Sequence, residues 1–81
     1  MNLNNKELDQ IKQICTKIEL HEYKSGGWSK LSGGFAVCDM TDYDDDEIYL
    51  ELKCGVETDF ENRTYTDNIT LDRHTMEITK D

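Results

Sequence analysis

The first part of the chain has the spacing of apolar residues that is typical of an amphipathic helix. Between residues 3 and 20, apolar side chains recur at steps of three and four positions and so share one stripe of a helix. They are Leu8, Ile11, Ile14, Cys15 and Ile18. Asn4 and Glu7 have the spacing of a capping box at the helix start. The helix is expected to end at Gly26 and Gly27 at the latest. Residues 20–24, just before these glycines, fit either a longer helix or the start of a strand.

From Phe35 onward the period of the pattern changes to two, which predicts strands. The clearest is Glu47–Cys54, which places Ile48, Leu50, Leu52 and Cys54 on one face. The predicted strands cover residues 35–40, 47–54, 64–71 and 76–79, separated by polar turns. Because the connections are short, we expect an antiparallel sheet with the helix on one face. The predicted fold class is α+β, ordered αββββ, in a single domain over residues 1–81.

A short sequence repeat lies between the predicted helix and the first predicted strand. Ser25-Gly-Gly-Trp28 is followed seven residues later by Ser32-Gly-Gly-Phe35. The segment fits a flexible loop that presents Trp28 to a small ligand or a cation. The interpretation that we favour is two turns whose aromatic side chains pack on the core. The chain contains no proline, a residue that commonly prevents strand edges from pairing with another chain. A homodimer that forms through an open strand edge is therefore a further hypothesis.

The composition excludes several classes of protein. Eighteen acidic residues against nine basic ones give a net charge of −9, which argues against direct binding to nucleic acid because phosphates repel such a surface. No stretch approaches the roughly 18 apolar residues of a membrane-spanning helix, so no membrane partner is expected. The N-terminus lacks the apolar run of a signal peptide. We therefore expect a cytoplasmic protein, in the host cytoplasm if a phage encodes it.

The charge is concentrated in the second part of the chain. Residues 31–81 contain fourteen acids and four bases, and most of the acids fall in and beside the two predicted loops. A basic partner would relieve the repulsion within such a group and would be steered toward it. The candidate partner-binding residues are Asp42, Tyr43, Asp44, Asp45, Asp46 and Glu47, with a second patch formed by Glu57, Asp59 and Glu61. Tyr43 would supply an aromatic anchor, or would instead pack over the end of its own strand.

Catalytic and metal-binding patterns are weak in this sequence. Asp42, Asp44 and Asp46 have the spacing of the first three ligands of an EF-hand calcium loop. Glu47 and Lys53, however, occupy the positions that require glycine and a bidentate acid. The three cysteines and two histidines lack the spacing of a zinc site, and none forms a recognisable pair of nucleophile and base. We predict no metal, no cofactor and no enzymatic activity, and we expect Cys38 and Cys54 to be core residues.

Size, charge and the lack of a catalytic signature together favour an interaction protein. In these general properties the chain is similar to the small acidic proteins that phages and mobile elements make against host defence nucleases, including anti-CRISPR proteins. That likeness is carried by no shared motif and transfers no site. It implies an inhibitor that mimics nucleic acid and occupies a basic nucleic-acid-binding surface of a host protein or nuclease. The alternatives are a module that binds a small ligand or divalent cation near Trp28, or a homodimeric structural subunit.

Overall fold

The computed structural model, which describes residues 2–26, 28 and 30–80, packs an N-terminal helix on a four-stranded antiparallel sheet. The elements are α1 (Asn5–Ser25), a short 3-10 helix (Lys30–Ser32), β1 (Gly34–Tyr43), β2 (Glu47–Glu57), β3 (Asn62–Asp72) and β4 (Ile78–Lys80). The strands lie side by side in chain order, so each pairs with the one that precedes it. The predicted α+β class and the order αββββ are confirmed.

The ends of α1 are set by local hydrogen bonds. Asn4 and Glu7 form the predicted capping box: the Glu7 amide donates to Asn4 Oδ1 at 2.8 Å and the Asn4 amide donates to Glu7 Oε1 at 3.1 Å. The helix continues to Ser25, where Gly26 caps it. Gly27, also predicted to end the helix, lies outside the described residues. Among those residues, neither α1 nor any other helix has the length and apolar character needed to cross a membrane.

The core lies between α1 and one face of the sheet. The alternation predicted for β1 and β2 is confirmed, because Ala36 and Cys38 of β1 and every second residue of β2 from Ile48 to Cys54 are buried. Ile48, Leu50 and Leu71 are at most 1% exposed. The buried apolar residues are Ile11, Cys15, Ala36, Cys38, Ile48, Leu50, Leu52, Cys54, Ile69 and Leu71. Among the described residues, the opposite face of the sheet carries mostly polar side chains, together with the half-buried Phe35 and with Val37, which is 45% exposed.

The strands are longer than the sequence pattern predicted. The predicted turn over residues 41–46 shortens because β1 runs on to Tyr43, with an irregularity in pairing after Met40. The predicted loop over 55–62 shortens because β2 runs to Glu57. Pairing continues there because Gly55 has no Cβ; one added at that position would lie 1.9 Å from the Arg63 carbonyl oxygen. Glycine was interpreted as a break, but here it permits close backbone approach.

The last strand is shifted relative to the prediction. Residues 76–79 were expected to form it, whereas β4 covers Ile78–Lys80. Met76 instead belongs to the preceding turn: it has a positive φ of 60°, and its amide donates to the Asp72 carbonyl at 2.7 Å. Asp72 closes the same turn with its side chain, which accepts the His74 amide at 2.8 Å.

Candidate partner-binding surface

The turn between β1 and β2 is built around the carboxylate of Asp44. One oxygen accepts the backbone amides of Asp46 at 2.8 Å and Glu47 at 2.7 Å, and the other accepts the Tyr49 hydroxyl at 3.1 Å. The two amides are the main cause that lowers the pKa of Asp44, and its carboxylate in turn raises the pKa of Tyr49. Asp44, predicted to contact a partner, therefore organises its own turn.

Arg73 connects this turn to the start of α1. Its side chain is buried, and its guanidinium donates from Nε to Glu7 Oε2 at 2.8 Å, from Nη1 to the Asp44 carbonyl at 2.8 Å, and from Nη2 to the Asn2 carbonyl at 3.1 Å. The hydrogen bond to Arg73 lowers the pKa of Glu7. The Arg73 amide also donates to the Asp46 carbonyl at 3.0 Å. The acidic turn thus has a fixed position relative to the helix and sheet.

Tyr43 is not an exposed anchor. Its ring is half-buried, and the Arg73 guanidinium carbon lies 5.6 Å from the ring centroid, a cation–π contact. Its hydroxyl lies 3.5 Å from the side-chain oxygen of Asn2. This placement matches the hypothesis of a tyrosine that packs over the end of its own strand. The sequence near Tyr43 gives no sign of its contact with Arg73, because Arg73 is thirty residues away along the chain.

The exposed carboxylates near the turn continue onto the open face of the sheet. Asp39 and Glu51 are direct cross-strand partners, and Asp42 lies opposite Tyr49. Like charges directly opposite each other are unfavourable, and Lys53, whose Nζ lies 3.6 Å from Glu51 Oε1, is the base beside them. We call the six residues that form this area the acidic surface: Asp39, Asp42, Asp45, Asp46, Glu47 and Glu51. Asp39 and Glu51 were not among the residues predicted to bind a partner.

The second predicted patch lies at the other end of the hairpin. Glu57, Asp59 and Glu61 surround the turn between β2 and β3, and the eleven residues of β2 separate the two turns by about 33 Å at the usual strand rise. Phe60 at the tip is 99% exposed. The structure therefore separates the two acidic patches. It also places an exposed aromatic in the second patch, which sequence reasoning had sought at Tyr43.

The Trp28 side chain packs against the sheet. The Trp28 ring centroid lies 6.0 Å from that of Tyr65, and its indole nitrogen donates to Glu22 at 3.4 Å. This contact favours the packing interpretation of the Gly-rich segment. In the described part of the chain, no three His, Cys, Asp or Glu side chains are grouped as metal ligands. A ligand or cation site near Trp28 stays a prediction.

The cysteines belong to the core, as predicted for Cys38 and Cys54. All three are free and buried. The side chains of Cys15 and Cys38 interact across the interface between helix and sheet. This hydrogen bond is the main cause that raises the pKa of Cys38, and burial acts in the same direction. Burial chiefly raises the pKa of Cys54. The same hydrogen bond with Cys38 lowers the pKa of Cys15. The raised pKa values favour the neutral form of Cys38 and Cys54, and neutral thiols are poor nucleophiles and poor metal ligands.

Comparison of the chain with protein-family models, with curated proteins and with solved structures found no match. The function has to be inferred from the residues and their arrangement.

Proposed function

We propose that this chain is a non-enzymatic interaction protein that inhibits its partner by occupying a basic, nucleic-acid-binding surface, as anti-defence proteins of phages do. The observation that carries the proposal is the acidic surface itself. It groups six exposed or half-exposed carboxylates on one end and one face of a small domain, where Lys53 contacts Glu51 and His74 contacts Asp46. A basic partner would relieve the repulsion among these groups, and that relief would favour binding.

The geometry of the turn supports this proposal. Asp44 and Arg73 hold the backbone that carries Asp45 and Asp46 in one conformation, through hydrogen bonds of 2.7–3.0 Å. A surface that is already ordered loses less conformational entropy on binding than a flexible acidic tail would. In this proposal the Asp44 carboxylate stabilises the conformation of the acidic surface.

The carboxylates of the acidic surface extend in two directions. Side chains on one face of an extended strand recur at every second residue, about 6.6 Å apart, whereas duplex DNA carries one phosphate per about 3.4 Å of axis along each strand. Cross-strand neighbours such as Asp39 and Glu51 are about 5 Å apart between Cα atoms. The surface thus resembles a nucleic-acid backbone in the sign of its charge and only coarsely in its spacing.

Two variants with equal net charge test this proposal. The first, Asp45→Asn/Asp46→Asn/Glu47→Gln, neutralises three carboxylates of the acidic surface and leaves Asp44 intact. The second, Glu57→Gln/Asp59→Asn/Glu61→Gln, removes the same charge from the opposite end. The unchanged chain and both variants are immobilised, and host nucleic-acid-binding proteins that they retain are purified. Each purified protein is then tested for displacement of a labelled duplex by the chain.

The expected size of the effect follows from Coulomb's law. A carboxylate about 5 Å from a cation contributes about 0.8 kcal/mol in water, and physiological salt screens this to roughly half. Loss of three such contacts costs about 1.3 kcal/mol, or nearly tenfold in affinity. We expect the first variant to displace the duplex about tenfold less well and the second to change little. Equal losses in both variants, or no displacement by the unchanged chain, would contradict the proposal.

A further inference from the structure

The two edges of the sheet differ in how they are covered. At the β1 edge, α1 supplies hydrogen-bond acceptors: the Tyr23 hydroxyl accepts the Ala36 amide at 3.0 Å, and Glu19 Oε2 accepts the Cys38 amide at 2.8 Å. At the other edge, the register of β4 reaches only Thr70 and Leu71 of β3. In the described part of the chain, most of the eleven-residue β3 pairs with β2 on one side and with no strand on the other.

The backbone groups that face this open side can be identified from the pairing. The Asp72 amide donates outward to the Glu77 carbonyl at 2.8 Å, and the Thr70 carbonyl accepts from the Thr79 hydroxyl at 3.3 Å. Along an antiparallel strand, the backbone N–H and C=O groups of successive residues point alternately to the two sides. The open side of β3 therefore also carries the backbone groups of every second residue before Thr70. These residues are Asn62, Thr64, Thr66 and Asn68, and all four are exposed.

We propose that β3 pairs antiparallel with β3 of a second copy of this chain, with the two-fold axis at Tyr65, so that the two sheets form one continuous sheet. This register places Thr64 opposite Thr66 of the second copy, with outward groups facing each other. It also places Arg63 opposite Asp67 of the second copy, twice, on the helix-facing side. Opposite charges directly across two strands are favourable.

The charges select this register over its neighbours. An axis at Thr64 would place Arg63 opposite Tyr65, and an axis at Thr66 would place Arg63 opposite Ile69, so neither pairs Arg63 with an acid of the second copy. With the axis at Tyr65, residues 62–68 pair along their full length, and each copy contributes four outward donors and four outward acceptors, or about eight bonds in all. The pairing ends just before β4 begins to cover the edge.

The surface beside this edge also suits a second copy. Because α1 packs chiefly on β1, a groove of about 400 Å³ lies between the helix and the far side of the sheet. Its apolar lining includes Ile18, Leu52, Ile69 and Ile78, and Ile78 is 51% exposed. A two-fold axis perpendicular to the sheet places both helices on the same side. The grooves of the two copies would then meet above the paired strands, where apolar surface can be buried.

The salt dependence separates this inference from the proposed function, on which it does not rest. Each copy carries a net charge of −9, so the two copies repel each other and added salt should strengthen the dimer. Binding of a basic partner to the acidic surface should weaken as salt is added. Failure of one proposal therefore leaves the other standing.

Sedimentation equilibrium of the full chain, from low to high micromolar concentration and at two salt concentrations, tests the dimer. Thr66→Pro removes one outward N–H and leaves the ladder between β2 and β3 in place; its control, Thr66→Val, keeps the N–H. We expect Thr66→Pro to raise the dimer dissociation constant on the order of tenfold or more, and Thr66→Val to leave it within about twofold. A chain that is monomeric throughout, or a dimer indifferent to Thr66→Pro, would overturn the proposal.

A charge exchange provides a second test that does not depend on proline. Arg63→Asp and Asp67→Arg should each weaken the dimer, because each places like charges opposite one another. The double variant restores opposite charges in the same register and should recover dimerisation. Circular dichroism of each variant checks that the fold is kept. If the double variant is no better than the single ones, the register centred on Tyr65 is wrong.

Discussion

The hydrogen bond that closes the outer edge of β1 can be removed with a single substitution, Glu19→Ala. In the wild-type chain Glu19 accepts the amide of Cys38 at 2.8 Å, and Cys38 is only 3% exposed. Alanine provides no acceptor, so the Cys38 amide would stay buried without the partner that α1 supplies. A buried amide in that state costs free energy of folding, because water solvates it in the unfolded chain.

The loss can be estimated from this one contact. A hydrogen bond to a charged acceptor contributes about 1.5–3 kcal/mol to stability. The higher helix propensity of alanine offsets a few tenths of a kcal/mol of this loss. We therefore expect the free energy of unfolding to fall by about 1–2.5 kcal/mol. A domain of this length has about 4–12 kcal/mol in total. The melting temperature should fall by roughly 5–15 °C, at about 4–8 °C per kcal/mol.

Thermal and denaturant unfolding followed by circular dichroism would measure this loss. Glu19→Gln is the matched control, because its amide oxygen can still accept the Cys38 N–H while the charge is removed. It should keep more than half of the stability that Glu19→Ala loses. Hydrogen exchange at the Cys38 amide should accelerate in the alanine variant only. A melting temperature unchanged in Glu19→Ala, or equal losses in the two variants, would refute the idea that this contact closes the edge.

Two further predictions concern the acid sensitivity and the core of the domain. Because Arg73 holds the pKa of Glu7 below its usual value of 4.5, this pair stabilises the fold fully above about pH 4.5. The stabilisation should be lost as the pH falls through the lowered pKa, and Glu7→Gln should flatten that decline in urea titrations made at several pH values. Leu71→Ala should cost about 2–5 kcal/mol, because Leu71 is fully buried, whereas Leu20→Ala, at a position 63% exposed, should cost little in the same assay.

Much of the fold was predictable because its signals are local. The capping box at Asn4 and Glu7 and the alternation along β2 depend on residues a few positions apart, which share a helix turn or a sheet face. The boundaries were less predictable. The second strand was predicted to end at Cys54, before Gly55, and only the approach of the Arg63 carbonyl shows why β2 continues through this glycine.

The candidate site was predicted in part. The concentration of acids after residue 38 is visible in the sequence, and Asp45, Asp46 and Glu47 are exposed as expected. The packing of Tyr43 over its strand end was one of two hypotheses, but its contact with Arg73 was not predictable, because the position of Arg73 in the sequence gives no sign of burial. An arginine in a predicted polar turn is normally solvent-exposed.

The sequence by itself determined the order and approximate positions of the helix and the strands, which face of the helix and of the central strand is apolar, and how much negative charge the domain carries. These properties follow from composition and from the periods of the two backbone conformations. Only the tertiary structure decided that the two acidic patches lie at opposite ends and that Arg73 reaches Glu7, sixty-six residues away. It also decided that α1 covers one edge of the sheet and leaves β3 open. These outcomes depend on strand register and on where the helix rests, which are set by contacts between residues far apart in the chain.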